Sequence, residues 1–174
     1  MLIALSGTPG VGKTKAAEIL RGRGHSIVNL NQLAEEKKFV VGFDEDRDSK
    51  IIDVDALDEY IIEHFTGKDI VLEGHLSHLL SVNLAIILRC DPLVLEQRLK
   101  EKGWPQKKIK ENVGAEILDV IKVEAFEVLD KVYEIDTTQR SSEEVVDTIE
   151  GIMDGNYEDP KIDWLGKYEY LLFN

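Results

Sequence analysis

The stretch "ALSGTPGVGKTKAAEIL", residues 4–20, joins a short apolar run to an amphipathic segment through a glycine-rich loop. Gly7, Gly12, Lys13 and Thr14 complete the pattern G-x-x-x-x-G-K-[ST]. The glycines allow successive backbone N–H groups to converge, and a helix predicted to begin near Lys13 turns its positive end toward the same point. We therefore expect nucleotide phosphates here, with Lys13 on the β- and γ-phosphates and the Thr14 hydroxyl on Mg²⁺.

Short apolar runs alternate with helical periodicity along the rest of the chain. The runs lie at residues 2–5, 26–30, 69–75, 83–89 and 131–136. Helices are predicted at 13–23, 54–65, 92–103, 107–129 and 141–153. Five short apolar strands separated by helices predict an α/β fold, a five-stranded parallel sheet covered on both faces as in the three-layer P-loop NTPase proteins.

Composition narrows the class of protein. The 174 residues, 43% of them hydrophobic, suffice for one domain with a sizeable core. No run of about 18 apolar residues and no signal-peptide pattern is present, so we expect no membrane association. The single cysteine, Cys90, cannot form an internal disulfide, which indicates a cytoplasmic protein. The net charge of −13 argues against direct nucleic-acid binding and suits a basic protein partner.

Two acidic residues follow predicted strands at the edge where ligands bind in open α/β sheets. Glu73, followed by Gly74 and His75, is the better placed, and we expect it to hold Mg²⁺ together with Thr14. Asp91, after the next strand, is the alternative. His75 is predicted to orient water or a phosphate, and a loop histidine with a local hydrogen bond is the alternative.

Phosphoryl transfer between anions requires cations over the transferred group. Arg89, Arg98 and Lys102 lie in or near the fourth strand and its following helix, and Arg98 is predicted to be catalytic. More lysines surround "GWP" at 103–105, namely Lys107, Lys108 and Lys110. We interpret this cluster as a mobile lid over ATP, and a solvated basic patch is the alternative.

Six motifs together resemble one known family. They are "GTPGVGKT" (7–14), "GFDED" (42–46), "EGH" (73–75), "LRCD" (88–91), "RLKEKG" (98–103) and "KKIKENVGAEI" (107–117). The chain resembles a small, archaeal-type member of the adenylate kinase isoenzyme 6 or CINAP family. The members of this family are atypical adenylate kinases that are also ATPases linked to maturation of the small ribosomal subunit. The resemblance covers about residues 2–150.

The resemblance implies an adenylate-kinase-like domain at 1–153, with a nucleoside-monophosphate (NMP) segment near 30–53 and a lid near 101–111. Residues 154–174 are then a tail packed on or flanking the core. It implies Mg²⁺-dependent phosphoryl transfer from ATP to AMP, ATP hydrolysis, and a basic small-subunit ribosomal protein as partner. It implies ATP contacts at Gly10, Gly12, Lys13, Thr14, Lys15, Lys102 and, near the adenine, Arg140.

The sequence departs from the family pattern at three positions. Glu73 stands where the family usually has Asp, and Lys102 stands where it usually has a lid arginine, which removes the planar fork. Glu35, in "LAEE", replaces a cation expected near the AMP phosphate, so we expect weak AMP binding.

Two other functions remain open at this point. One is an ATP-gated assembly factor whose kinase turnover is incidental. Its predicted contact points are the acidic stretch Asp44–Asp48 and the tail around Trp164. The other is a P-loop kinase of a different small molecule, such as shikimate, gluconate or another nucleotide, with no ribosomal role.

Overall fold

A computed structural model describes residues 1–45, 47–157 and 160–173 of the chain. The strands are β1 (Leu2–Gly7), β2 (Ile27–Asn29), β3 (Val40–Asp44), β4 (Ser49–Ile52), β5 (Ile70–Glu73), β6 (Leu84–Arg89) and β7 (Val132–Asp136). Five of them form a parallel sheet in the order β2-β5-β1-β6-β7, and β3 and β4 form a separate antiparallel hairpin. The predicted five-stranded parallel sheet is confirmed.

The helices are α1 (Lys13–Gly22), α2 (Leu30–Glu36), α3 (Val54–Phe65), α4 (Pro92–Glu101), α5 (Gln106–Ile117), α6 (Val120–Val128), α7 (Ser142–Met153) and α8 (Trp164–Tyr168). Ser141 caps α7 in a capping box with Glu144. None of the helices in the described ranges is long and apolar enough to cross a bilayer.

The sheet is covered on both faces because alternate side chains of its strands point in opposite directions. Ile3 and Leu5 of β1 join the cluster formed with α1, α4, α5 and α7. Leu2 packs with α2 and α3, and Ala4 packs with α6. Every residue of β1, β5 and β6 is buried, as their continuous apolar runs predict. The carboxyl ends of these strands meet at one edge.

The single helix predicted at 107–129 is wrong. The structure has α5 and α6 instead, and Asp119 between them adopts a left-handed conformation with φ of 56°. The Asp119 carboxylate accepts a hydrogen bond from the buried Arg89 and lies 3.7 Å from Lys122 Nζ. These ion pairs hold a backbone conformation that a non-glycine residue rarely adopts, and they end the helix.

Residues 30–53, which look irregular in sequence, contain α2 and the β3–β4 hairpin. Asn29 caps α2 by accepting a hydrogen bond from the backbone N–H of Gln32 at 2.9 Å. The segment 101–111 comprises the end of α4, a turn at 102–105 and the first half of α5.

The C-terminal segment packs on the core. Trp164 and Tyr168 of α8 are buried in the cluster that contains α5. The Tyr168 hydroxyl and Lys167 Nζ both donate to the Asp91 carboxylate, the latter at 3.1 Å. Asp91 also caps α4. Its carboxylate is therefore engaged by the tail.

Candidate active site

The carboxyl edge of the sheet opens into a cavity of about 820 Å³, the main cavity. Residues 7–14, the phosphate loop, form its floor. Its walls come from the loop after β5, from α5 and α6, from Arg47, and from Ser49 at the start of β4. The floor and the walls together bring backbone N–H groups and polar side chains to the same cavity.

The phosphate loop lies tightly against the fold at two glycines. A Cβ on Gly7 would come within 2.4 Å of the Leu88 carbonyl oxygen, and one on Gly10 would come within 2.9 Å of Leu95 and Leu99. Gly12 begins α1 with φ of 111°, and no side chain among the described residues caps it. The first N–H groups of α1 are therefore available to a phosphate.

Lys13 is buried under the loop, with 8% of its surface exposed. Its Nζ donates to the carbonyl oxygens of Gly7 at 2.6 Å and Thr8 at 3.1 Å. Burial lowers the pKa of Lys13 to about 8, although the carboxylates of Glu73 and Glu116 oppose this shift. The ammonium keeps most of its charge at pH 7, at the base of the cavity.

Glu73 at the end of β5 meets two side chains from neighbouring elements. Its Oε1 accepts from the Thr14 hydroxyl at 3.2 Å, and its Oε2 accepts from Asn29 Nδ2. Glu73 is buried and lines the main cavity. Hydroxyl and carboxylate oxygens are ligands that Mg²⁺ prefers, so the donor set fits this ion. The structure brings Thr14 and Glu73 together and places Asp91 elsewhere.

His75 lines the main cavity, as do Lys15 and Lys102. Desolvation in this recess lowers the pKa of His75 to about 4, and the positive charges of Lys13 and His78 contribute. The imidazole is therefore neutral at pH 7. Lys15 is also paired with Glu18 on the surface, at 3.3 Å.

Arg98 lies in a different place from the one expected. Its guanidinium donates to the Thr137 carbonyl at 3.2 Å and lines a second cavity of about 210 Å³. Gly10, Gly12 and Arg140 line the same second cavity. Arg98 is absent from the described lining of the main cavity, so the structure does not bring it to Lys13 and Glu73.

Arg89 is not available to any substrate. It is 2% exposed, and its guanidinium donates to Glu116, Glu134 and Asp119. Because burial of an arginine requires such partners, this side chain is part of the core. Its sequence position at the end of β6 gives no sign of those partners, which come from α5, β7 and the α5–α6 junction.

Glu35 also lies in an unexpected place. Its carboxylate accepts from Lys50 Nζ at 2.5 Å, and it is not among the described residues that line the main cavity. Among residues 30–53, Asn31, Arg47 and Ser49 line the main cavity instead. No pattern in the sequence singles these three residues out, because the polar stretch 31–50 does not predict the hairpin that carries Arg47 and Ser49.

Comparisons with known proteins place the chain in a family. A family model described as an AAA domain matches residues 3–119. A protein of Archaeoglobus fulgidus named "Putative adenylate kinase" is 47% identical over 175 residues, covering 97% of this chain and 94% of that protein. A protein of Methanocaldococcus jannaschii with the same name is 43% identical, covering 98% and 97%.

Solved structures share the fold at low sequence identity. Shikimate kinase from Bacteroides thetaiotaomicron aligns with a TM-score of 0.60 at 15% identity, covering 88% of this chain and 98% of that one. Shikimate kinase from Acinetobacter baumannii in complex with shikimate also gives 0.60, at 16% identity, covering 89% and 93%. These likenesses support the P-loop kinase fold alone. With the two archaeal relatives, they lead to one assignment: the chain belongs to the adenylate kinase family that those proteins represent and is a P-loop nucleotide kinase.

Proposed function

We propose that the protein transfers the γ-phosphoryl group of ATP to AMP with Mg²⁺ and hydrolyses ATP when AMP is absent. The observation that carries this proposal is the convergence of Lys13, Thr14 and Glu73 at one end of the main cavity. An ammonium, a hydroxyl and a carboxylate at a glycine-rich loop are the groups that hold a nucleoside triphosphate and its metal ion.

The phosphate loop holds the triphosphate in this proposal. The backbone N–H groups of Gly10, Gly12, Lys13 and Thr14 bind phosphate oxygens, and Lys13 turns an N–H from a loop carbonyl toward the β- and γ-phosphates. Thr14 and Glu73 hold Mg²⁺, Glu73 directly or through water. Bound there, Mg²⁺ neutralises charge on the phosphates during transfer.

The second cavity is the proposed site of the adenosine part of ATP. It adjoins the phosphate loop through Gly10 and Gly12, and two guanidinium groups, those of Arg98 and Arg140, line it. A planar guanidinium can stack on a base. Arg98 then acts in ATP binding and not over the transferred group.

AMP is proposed to occupy the part of the main cavity between the hairpin turn and the loop after β5. Arg47 and Asn31 lie on the hairpin side, and His75 lies on the other. The neutral imidazole of His75 can donate a hydrogen bond to a phosphate oxygen of AMP or accept one from water. The same property supports ATP hydrolysis, since a positioned water replaces AMP.

We propose further that the protein is cytoplasmic and binds a basic small-subunit ribosomal protein during assembly. The net charge of −13 supports a basic partner. Of the contact points expected from sequence, Asp46 lies outside the described residues and Trp164 is buried. Exposed apolar side chains on α6, such as Val123 and Phe126, are better placed for such a contact.

A substrate panel tests the enzymatic proposal. Product formation is measured with ATP alone, with ATP and AMP, and with ATP and shikimate as a non-nucleotide acceptor. We expect two ADP per cycle with AMP, slower release of phosphate with ATP alone, and no transfer to shikimate. Transfer to shikimate but not to AMP would overturn the proposal.

A binding titration tests the ribosomal role. A basic small-subunit ribosomal protein is titrated at about 0.1 M and about 0.5 M salt. The Debye length is about 10 Å at the lower concentration and becomes shorter at the higher one. We expect binding that weakens steeply with salt. Absence of binding at the lower salt concentration would exclude the role and leave the kinase proposal intact.

A further inference from the structure

Thr8 in the phosphate loop is hydrogen-bonded on two sides. Its carbonyl accepts from Lys13 Nζ at 3.1 Å, and its hydroxyl donates to Oε2 of Glu116 on α5 at 2.5 Å. Thr8 is 3% exposed and Glu116 is 2% exposed. The loop residue that contacts the phosphate-facing lysine is thus joined directly to a helix that walls the main cavity.

The Glu116 carboxylate is fixed from a second direction. Its Oε1 accepts from Arg89 Nε at 2.8 Å and from the backbone N–H of Cys90 at 3.1 Å. Arg89 also donates to the Glu116 carbonyl at 3.1 Å. Charge-assisted hydrogen bonds of this kind hold geometry closely, so α5 is anchored at the end of β6 as well as at the phosphate loop.

The neighbouring face of α5 forms part of the cavity wall. Lys108, Glu111, Asn112 and Ala115 line the main cavity, and their spacing of three and four residues puts them on one helix face. Glu116 lies on the buried face with Ile109 and Val113. A shift of α5 about Glu116 would therefore move the wall that encloses a bound nucleotide.

We propose that Glu116 is a positioning residue that couples α5 to the phosphate loop through the Thr8 hydroxyl. Lys13 has three N–H donors, and two of them are on loop carbonyls. When a phosphate accepts the N–H that now goes to the Thr8 carbonyl, the peptide of Thr8 shifts. The Thr8 hydroxyl, which is bonded to Glu116, passes this displacement to α5. The inference rests on the proposed binding of ATP phosphates at this loop.

The substitution Thr8→Val tests the coupling, because valine keeps the shape of threonine and lacks its hydroxyl. Hydrogen exchange of the α5 amides, residues 106–117, is measured with and without a non-hydrolysable ATP analogue and Mg²⁺. Calorimetry measures binding of the analogue. We expect the analogue to slow exchange in the wild-type α5. Thr8→Val should bind it within about tenfold of wild type and lose most of this slowing.

Two further variants make the result specific. Thr8→Ser restores a hydroxyl and should restore the slowing. Ser81→Ala removes a hydroxyl–carboxylate hydrogen bond elsewhere, from Ser81 to Asp58, and should retain it. In turnover, Thr8→Val should lower kcat about tenfold with a smaller change in KM for ATP, as misplacement of a wall predicts. If Thr8→Val does not fold, Thr8→Ala tests the same link.

Slowing in Thr8→Val equal to that in wild type would overturn the coupling, whatever the activity of the enzyme. Slowing that depends on the Thr8 hydroxyl supports the coupling even if the wild-type protein transfers no phosphoryl group to AMP. In that case the proposed function fails and the coupling stands, so the two failures are distinguishable.

Discussion

The Thr14 hydroxyl and the Glu73 carboxylate lie 3.2 Å apart although 59 positions separate them in the chain. The parallel pairing of β1 with β5 brings them together, because Leu5 stands beside Glu73 in the register and the phosphate loop follows directly. The proposed metal site therefore combines one side chain of the phosphate-loop motif with a second that the order of the strands brings beside it.

Glu73→Gln should raise the Mg²⁺ concentration needed for half-maximal activity and leave the thermal midpoint nearly unchanged, since glutamine can still pair with Thr14 and Asn29. Asp91→Asn is the matched control. It should lower the free energy of unfolding by about 1–3 kcal/mol, because Tyr168 and Lys167 lose a charged acceptor, and leave the Mg²⁺ dependence as in wild type. The reverse pattern would make Asp91 the metal ligand and Glu73 a structural residue.

Lys13→Ala should lower kcat by about 10²-fold or more, because it removes a charge that acts mainly in the transition state. Circular dichroism should show an unchanged fold. Lys100→Ala provides the control, since Lys100 pairs with Glu96 on the surface of α4 and should be dispensable for turnover. Turnover by Lys13→Ala at the wild-type rate would rule out the phosphate-loop mechanism.

Arg98→Ala should raise KM for ATP about tenfold and change kcat less, because the guanidinium lies in the second cavity with Arg140. Steady-state kinetics at saturating AMP separate the two constants. Arg98→Lys keeps the charge without the planar fork, so its KM for ATP should lie between those of wild type and Arg98→Ala. A fall in kcat with an unchanged KM for ATP would mean that Arg98 acts on the transferred phosphoryl group and not in ATP binding.

Arg47→Ala should raise KM for AMP about tenfold, as loss of a charge-assisted hydrogen bond to phosphate predicts. Glu35→Arg should change this constant less than about twofold, because Glu35 forms a surface ion pair with Lys50 and such pairs contribute little. A marked fall in KM for AMP in Glu35→Arg would mean that residue 35 faces the acceptor phosphate, as the family pattern suggests.

The Asp91 carboxylate makes a pH-dependent contribution to stability. Burial alone would raise its pKa, but hydrogen bonds from Tyr168 and Lys167 hold it below the ordinary value of 3.8. A depressed pKa in the folded state stabilises the protein above pH 3.8, and this contribution is lost as the pH falls below that value. The difference in thermal midpoint between wild type and Asp91→Asn should therefore be larger at pH 7 than near pH 3. Equal differences at both pH values would contradict this account.

The central sheet and the phosphate loop could be predicted because both leave local signals. Buried parallel strands are continuous apolar runs, and the loop has fixed glycine spacing. The break between α5 and α6 has no such signal. Asp119 is held in its left-handed conformation by Arg89 and Lys122, and these contacts depend on the tertiary fold.

The roles of the cations leave little signal in the sequence. Arg89 and Arg98 are both basic residues near the end of β6, and the sequence does not tell that one is enclosed by three carboxylates and the other by carbonyls of residues 137 and 138. Long side chains reach partners on other elements, so their direction follows from packing. Glu73, by contrast, emerges at the sheet edge because of its position in a strand.

The packing of α8 on α5 has a consequence for how the chain folds during synthesis. The apolar side of α5 that receives Trp164 and Tyr168 stays open to water until residues 162–168 have left the ribosome. The sheet, whose last strand ends at Asp136, can form earlier. A nascent chain therefore passes through a stage in which the nucleotide-binding edge of the sheet exists but α5, one wall of the cavity, is not yet supported by α8. A bound nucleotide would favour the fully folded chain over this intermediate.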